Sequence, residues 1–202
     1  MRELSLHVLD IAQNSIAAGA SLVTLWVEER PAQDRLEIGV QDNGRGMTPE
    51  QLSAVRDPFF TTRTTRKVGM GVPLFRMAAE MAGGGLTIES AVGRGTTLIA
   101  TFQLSHIDRA PLGDMAGTVS ALIRLNPTLD FVYRHTRGGA GYTLDTRELR
   151  EVLGGVPLDT PDVIGWIEGY LAEHEQEMED GNAAAVQEPA GGGPSTDKED
   201  LG

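Results

Sequence analysis

The hydrophobic pattern of the first half of the chain alternates between helical and strand periodicity. Residues 3–18 are mostly apolar at helical spacing, and Gly19 follows as a C-terminal stop. Residues 36–41 alternate strictly, with Leu36, Ile38 and Val40 on one face, which predicts a strand with one buried face. The predicted elements are a helix at 3–18, strands at 22–28 and 36–41, a short helix from Thr48, a helix at 73–82, and strands at 86–90 and 96–104. Their order predicts an α/β sandwich in which helices cover one face of a sheet.

The pattern changes after about residue 104. A helix is predicted at 113–125, and strand-like segments at 131–136 and 142–146 flank Gly138-Gly139-Ala140-Gly141, which is typical of a hairpin. A last helix is predicted after Thr160-Pro161. From about residue 177 the chain is rich in Gly, Ala, Pro and acidic residues, with too little apolar surface to fold. We therefore predict a domain at 1–104, a small accessory region at 105–176 and a disordered acidic tail at 177–202.

The charge and composition exclude several classes of protein. The chain has 17 basic and 29 acidic side chains, and nine of the acidic ones but only one lysine fall in residues 173–202. The body therefore has no basic excess to neutralise phosphates, which disfavours a nucleic-acid partner. The absence of cysteine excludes disulfides and thiolate metal sites. No apolar run approaches the roughly 20 residues that span a bilayer, so we expect a cytoplasmic protein without a membrane partner.

The first predicted helix carries polar residues on an apolar background. His7, Asp10 and Asn14 are spaced i, i+3 and i+7 and so face one direction. A solvated helix face is one interpretation. The other is a site in which Asn14 offers a neutral oxygen to Mg²⁺, which takes few protein oxygens and completes its shell with phosphates and water. Asp10 would then orient or deprotonate a nucleophile.

A glycine-rich loop follows the second predicted strand. Its sequence, Asp42-Asn43-Gly44-Arg45-Gly46-Met47, contains an Asn-Gly pair typical of hairpins, but a helix start at Thr48 follows instead of a strand. The glycines would let the backbone approach a flat ligand closely. Asp42 could then accept a hydrogen bond from an exocyclic amine such as that of adenine.

Two further segments have the composition of a phosphate site. Residues 61–67 contain no apolar side chain, which indicates an exposed loop, a basic patch, or a mobile cover over a triphosphate made by Arg63, Arg66 and Lys67. A nucleic-acid patch is disfavoured because no aromatic residues are interleaved for base stacking. Gly69 and Gly71 lead into the next helix, and amides at a helix N-terminus bind phosphate.

The last motif is Gly93-Arg94-Gly95-Thr96-Thr97, which lies between two predicted strands. A glycine-rich hairpin turn accounts for it structurally. The Thr96 hydroxyl could also complete the adenine end of a pocket.

The motifs described above occur together with two more, Pro58-Phe59-Phe60-Thr61-Thr62 and Gly69-Met70-Gly71. In their order along the chain they resemble the ATP-binding domain shared by gyrase, heat-shock chaperones, histidine kinases and mismatch-repair ATPases (the GHKL superfamily). The resemblance covers about half the chain. It implies a mixed, largely antiparallel sheet with helices on one face (the Bergerat type), and ATP with Mg²⁺ bound between the first helix and a flexible lid. The residues that the resemblance implies are Asn14 for the metal, Asp42 for adenine, Gly44, Gly46 and Met47 beside it, Thr61, Thr62, Arg63 and Lys67 in the lid, Gly69, Met70 and Gly71 at the phosphates, and Thr96 near adenine.

The sequence departs from the family pattern at three points. Pro73 stands where histidine kinases commonly carry another glycine, which is expected to stiffen that end of the lid. Asp10 occupies the position of the general base, usually Glu, and its shorter side chain disfavours ATP hydrolysis. No helical hairpin with a phosphoacceptor histidine precedes the first helix, so we expect no self-contained sensor kinase. His7, His106, His135 and His174 are expected to be ordinary structural or surface histidines.

Three functions compete. The first is a stand-alone regulatory kinase that transfers phosphate to an unidentified partner protein, and the second is an ATP-gated binding module with little turnover. An ATPase, either slow or a motor part of the chaperone or mismatch-repair type, ranks third. The motor type usually gains a catalytic lysine from a following domain, and residues 105–175 contain no lysine. The chain also resembles small ATP-binding proteins associated with redox-complex genes of anaerobic bacteria, where it would act as a regulator or assembly factor.

The accessory region allows two interpretations. Phe131, Tyr133 and Tyr142 on one hairpin could form a docking patch for a partner. The favoured interpretation is a small unit that packs on its own ATP-binding domain.

Overall fold

The computed structural model describes residues 3–56 and 71–181. The described elements are α1 (Leu4–Ala17), β1 (Leu22–Arg30), a 3-10 turn (Pro31–Gln33), β2 (Arg35–Asp42), α2 (Pro49–Arg56), α3 (Gly71–Met81), β3 (Gly85–Ala91), β4 (Gly95–Gln103), α4 (Met115–Leu125), β5 (Asp130–Arg137), β6 (Ala140–Asp145), α5 (Thr146–Leu153) and α6 (Pro161–Asp180). Across these two ranges no helix combines the length and the apolar character needed to cross a bilayer.

The six strands form one sheet in the order β3-β4-β2-β1-β5-β6. Four neighbouring pairs are antiparallel, and β1 and β5 are parallel, with Leu22 opposite Asp130 and Glu29 opposite Arg137. The predicted mixed, largely antiparallel sheet is confirmed. Because β5 pairs with β1, residues 130–145 extend the sheet that the first 104 residues build.

The helices pack on one face of this sheet. Alternate residues of the central strands are buried, for example Val23, Leu25 and Val27 of β1, and they share one core with the buried faces of α1, α3, α4 and α6. On the opposite face Trp26 lies over Gly39, where a Cβ atom would stand 1.9 Å from the indole ring. The glycine is therefore required for the indole to lie against the sheet.

The start of α2 agrees with the sequence pattern, whereas α3 and α5 differ from it. Thr48 and Gln51 form the expected capping box, because each side chain accepts the other's backbone N–H, at 3.3 and 2.9 Å. α3 begins at Gly71, two residues before the predicted start. This start is compatible with Pro73, because proline fits in the first turn of a helix. The short helix α5 is not among the predicted elements, since four of its eight residues are charged and it buries only one side chain fully. α6 continues to Asp180.

The hairpin β5-β6 turns its aromatic side chains into the core. Phe131, Tyr133 and Tyr142 are 1%, 0% and 7% exposed. The less favoured interpretation, that these three residues form a docking patch, is therefore wrong. They alternate with outward-facing residues along the strands, and their side chains fall on the face that α4 and α6 cover.

A buried ionic cluster joins this hairpin to α6. His135 lies between two carboxylates, with Nε2 3.2 Å from Glu29 of β1 and Nδ1 3.0 Å from Glu175 of α6. The hydroxyls of Tyr133 and Tyr142 also donate to Glu175, at 2.7 and 2.6 Å. Burial opposes the charged imidazole, but the hydrogen bonds to Glu175 and Glu29 outweigh it and raise the pKa of His135 to about 9. A cation between two carboxylates therefore holds α6 against the sheet.

We expect His135→Gln to lower the free energy of unfolding at pH 7 by about 3 kcal/mol, since it leaves two carboxylates facing a neutral group. The pKa rises from 6.5 to about 9 on folding, so the stabilisation is complete below pH 6.5 and is lost as the pH rises through 9. Urea unfolding at pH 7 and pH 10 should show the difference from the natural protein shrinking at the higher pH. His106→Gln, at a partly exposed histidine, is the control. A difference independent of pH would contradict the ionic assignment.

Candidate functional site

The two sides of α1 have different surroundings. Leu4, Val8 and Ile11 are buried in the core, whereas Asp10 is half-buried and Asn14 is exposed. His7 departs from the predicted polar face, because it is 4% exposed and its ring stacks on Phe75 of α3 with centroids 5.2 Å apart. Of the three residues, only Asp10 and Asn14 are accessible to a ligand.

Asp10 lies beside the start of α3. A Cβ atom placed on Gly71, the first residue of that helix, would stand 2.9 Å from the Cβ of Asp10 and 3.6 Å from its Oδ2. Glycine allows this close approach. The structure therefore brings the predicted catalytic carboxylate next to the helix N-terminus that was predicted to hold phosphate.

Asp42 is a buried carboxylate at the end of β2, 7% exposed. Its Oδ1 accepts the backbone N–H of Gly44 at 2.9 Å, and its Oδ2 accepts the hydroxyl of Ser15 at 2.7 Å. The two donors come from the glycine loop and from α1, so the carboxylate is held in one orientation from two sides. Each carboxylate oxygen has two lone pairs, which leaves acceptor capacity for a ligand donor.

The glycines after Asp42 pack the loop between α1 and the β3-β4 turn. A Cβ atom on Gly44 would stand 3.0 Å from Ala18, and one on Gly46, whose φ is 67°, would stand 1.9 Å from the carbonyl oxygen of Ala91. Gly95 has the same constraint, with 1.9 Å to the carbonyl oxygen of Asp42. Gly46 and Gly95 are thus required for backbone to touch backbone, whatever the loop binds, and Gly44 leaves little room for a side chain.

Thr96 lies next to Asp42 in the sheet. The two are register partners on β4 and β2, and Ser90 of β3 is the next residue in the same row. The Ser90 hydroxyl lies 2.9 Å from Thr96 Oγ1 and accepts the N–H of Met47 at 2.9 Å. Thr96, Met47 and Asp42 therefore lie close together, where β2 ends beside the start of β4.

The described residues thus contain two parts of the predicted site, one around Asp42 and Thr96 and one around Asp10 and Gly71. Asn14 precedes Ser15, the residue that joins α1 to Asp42. The remaining predicted site residues lie outside the described ones, namely Thr61, Thr62, Arg63, Arg66, Lys67, Gly69 and Met70. Within residues 3–56 and 71–181 no three His, Asp or Glu side chains are grouped so as to hold a metal ion.

Two residues of the site were missed by the sequence reasoning. Ser15 continues the buried stripe of α1 that includes Val8 and Ile11, and Ser90 continues the inward row of Leu86 and Ile88 on β3. A hydroxyl on the inward face is the signal in both cases, buried at Ser15 and half-buried at Ser90, because a buried polar group needs a partner. The partner itself cannot be identified until the helix is placed against the sheet.

Comparison with known proteins places the first half of the chain in a family. Residues 1–106 match the family model described as histidine kinase-, DNA gyrase B- and HSP90-like ATPase. The sensor protein kinase FleS of Pseudomonas aeruginosa is 39% identical over 105 residues, which cover 52% of this chain and 25% of FleS. The sensor histidine kinase ZraS of Salmonella typhi is 34% identical over 89 residues, or 44% of this chain and 19% of ZraS. The chain therefore spans a quarter or less of these relatives.

A solved structure shares the fold across more of the chain. The N-terminal domain of a DNA repair protein superposes with a TM-score of 0.50 at 13% identity, over 72% of this chain and 52% of that one. At this identity the similarity concerns the fold alone.

We expect Ser15→Ala to lower the free energy of unfolding by about 1–3 kcal/mol, because it removes a donor from the buried Asp42 carboxylate. Denaturant unfolding of both proteins measures the difference. Ser53→Ala, on an exposed position of α2, should change stability by no more than about 0.5 kcal/mol. Equal effects of the two substitutions would show that the hydroxyl of Ser15 does not hold Asp42.

Proposed function

Because this chain belongs to the histidine kinase-, DNA gyrase B- and HSP90-like ATPase family, we propose that it binds Mg-ATP and acts as a regulatory protein kinase on a partner protein. The observation that carries the proposal is the buried Asp42 carboxylate, which Ser15 and Gly44 orient while leaving it acceptor capacity. A buried carboxylate of this kind suits a ligand with an exocyclic amine, as adenine has.

The nucleotide would extend from Asp42 towards α1. Asp42 would accept the adenine amine, and Thr96 would lie beside the base. Asn14 would offer its side-chain oxygen to Mg²⁺, whose shell the phosphates and water complete. Gly71, at the N-terminus of α3, would face the phosphates. We assign the same region to Gly69 and Met70, and we assign the cover over the phosphates to Thr61, Thr62, Arg63 and Lys67.

Asp10 is the proposed catalytic residue. In phosphoryl transfer the acceptor oxygen bonds to the γ-phosphorus while the bond to the β-γ bridging oxygen of ATP breaks and ADP leaves. The acceptor loses its proton, and the Asp10 carboxylate would receive it. The position of Asp10 next to Gly71 supports this role, since it places a carboxylate at the edge of the proposed phosphate site.

An ATP-gated binding module with little turnover is the second candidate. The observation that favours it is the short side chain of Asp10. The Cβ atom of Asp10 lies against the start of α3, and its carboxylate reaches less far than that of the glutamate usual in the family's ATPases. A slow ATPase would share this limitation. The partner protein is common to the kinase and to the binding module.

Asn14→Ala should raise the dissociation constant for Mg-ATP by about a hundredfold or more, equivalent to ~2.7 kcal/mol, without unfolding the protein. Asn14 is exposed, so its loss removes an Mg²⁺ ligand and no packing. Calorimetric titration with a non-hydrolysable ATP analogue and Mg²⁺ measures this. Gln13→Ala, at the exposed neighbouring position on the same helix, should bind as the natural protein does. Unchanged affinity in Asn14→Ala would refute the metal assignment, and no binding by the natural protein would refute the whole proposal.

Asp10→Asn should bind Mg-ATP normally and lose phosphoryl transfer, because the amide cannot take up the acceptor proton. Incubation with γ-labelled ATP, with and without candidate partners, distinguishes the functions. Label on a partner supports the kinase, released phosphate supports the ATPase, and binding without either supports the switch. Retained turnover in Asp10→Asn would remove Asp10 from the catalytic role.

A further inference from the structure

The exposed aromatic residue of the C-terminal region is on α6. Trp166 is 52% exposed, and its ring stacks on Tyr170 with centroids 5.1 Å apart and an interplanar angle of 20°. Tyr170 is itself fixed, because its hydroxyl donates to the carbonyl of Thr143 on β6 at 3.1 Å and its ring lies 4.1 Å from that of His174. Trp166 is therefore an apolar surface whose orientation is set before anything binds it, and such residues dominate binding energy at interfaces.

Two glycines lie next to Trp166 on the same helix. Apart from the two adjacent residues and the backbone of α6 itself, a Cβ atom on Gly165 or on Gly169 would meet no atom within 4 Å. Glycine is a poor helix former, and no neighbour in the described fold requires it at these positions. The helix backbone beside Trp166 is thus bare, and another molecule can approach it closely.

The surroundings of this surface are acidic. Residues 151–181 contain no lysine or arginine. Asp162 and Glu173 are exposed, one turn before Trp166 and one turn after Gly169 respectively. Helical spacing puts Asp162, Gly165, Trp166, Gly169 and Glu173 on one face of α6. The buried residues Ile164, Ile167 and Leu171 lie on the opposite face.

We propose that this face, defined by Asp162, Gly165, Trp166, Gly169 and Glu173 and here named the α6 face, docks a basic segment of a partner protein. Charge complementarity identifies the occupant, because Lys or Arg side chains would meet the two carboxylates and the face of the indole. A second copy of the same face, an anionic membrane and a nucleic acid would all be repelled. The proposal does not rest on ATP binding or on phosphoryl transfer.

Photocrosslinking in the source cells tests the proposal. A benzophenone amino acid replaces Ala172, an exposed residue beside Glu173, in one variant and Ile107 in the other, because Ile107 is 91% exposed in a different part of the chain. We expect a crosslinked partner specific to position 172, and mass spectrometry of the adduct should map it to a segment with an excess of Lys and Arg. Asp162→Lys with Glu173→Lys should abolish that adduct. The same adducts at both positions, a segment without basic excess, a second copy of this chain, or no adduct would overturn the proposal.

A glycine substitution separates docking from stability. Gly169→Leu adds a side chain where the fold has open space, so the isolated protein should unfold at the same or a higher temperature. The peptide identified by crosslinking should nevertheless bind this variant at least tenfold more weakly in a fluorescence titration. Binding equal to that of the natural protein would overturn the proposed close approach. The same variant should bind Mg-ATP with unchanged affinity. A failure of docking can then be distinguished from a failure of the proposed kinase site.

Discussion

The rotation of α1 about its own axis is the constraint on which the candidate site depends. Its apolar stripe fixes the helix on the sheet, and both ends are tied by hydrogen bonds. At the start, the N–H groups of Leu4 and Ser5 donate to the carbonyls of Pro111 and Leu112 at 3.0 and 2.8 Å. Towards the end, Ser15 donates to Asp42. Because side chains three or four residues apart share a face, a helix held in this way has Asp10 and Asn14 turned from the core together.

The same constraint connects the C-terminal region to the site. The carbonyls that satisfy the first turn of α1 belong to the segment between β4 and α4, and β5 continues the sheet from β1 in a parallel register. The free amides at a helix N-terminus need partners, and here they find them beyond the residues that match the family. Residues 105–181 therefore help to position α1, in addition to offering a surface of their own. A change at Pro111 or Leu112 would be transmitted to the helix that carries Asn14.

Periodicity in the sequence was sufficient to predict the features that depend on a single helix or strand. The alternation of Leu36, Ile38 and Val40 predicted both the strand and its buried face, and the Thr48 capping box predicted the start of α2. Features that depend on two elements were not predictable. His7 has the spacing of Asp10 but lies against Phe75, and Ser15 has the spacing of a core residue but bonds Asp42. Only the placement of α1 on the sheet and beside α3 distinguishes these cases.

The two buried charged sites, the cluster at α6 and Asp42, differ in how many hydrogen bonds their groups receive. In the cluster at α6, both ring nitrogens of His135 face carboxylates, and Glu175 also accepts from Tyr133 and Tyr142. That cluster is complete within the chain. Asp42 is as deeply buried, but each of its oxygens has one donor among the described residues, Gly44 or Ser15. Burying a carboxylate with acceptor capacity unused costs stability, and the exocyclic amine of the proposed nucleotide would offset that cost at Asp42.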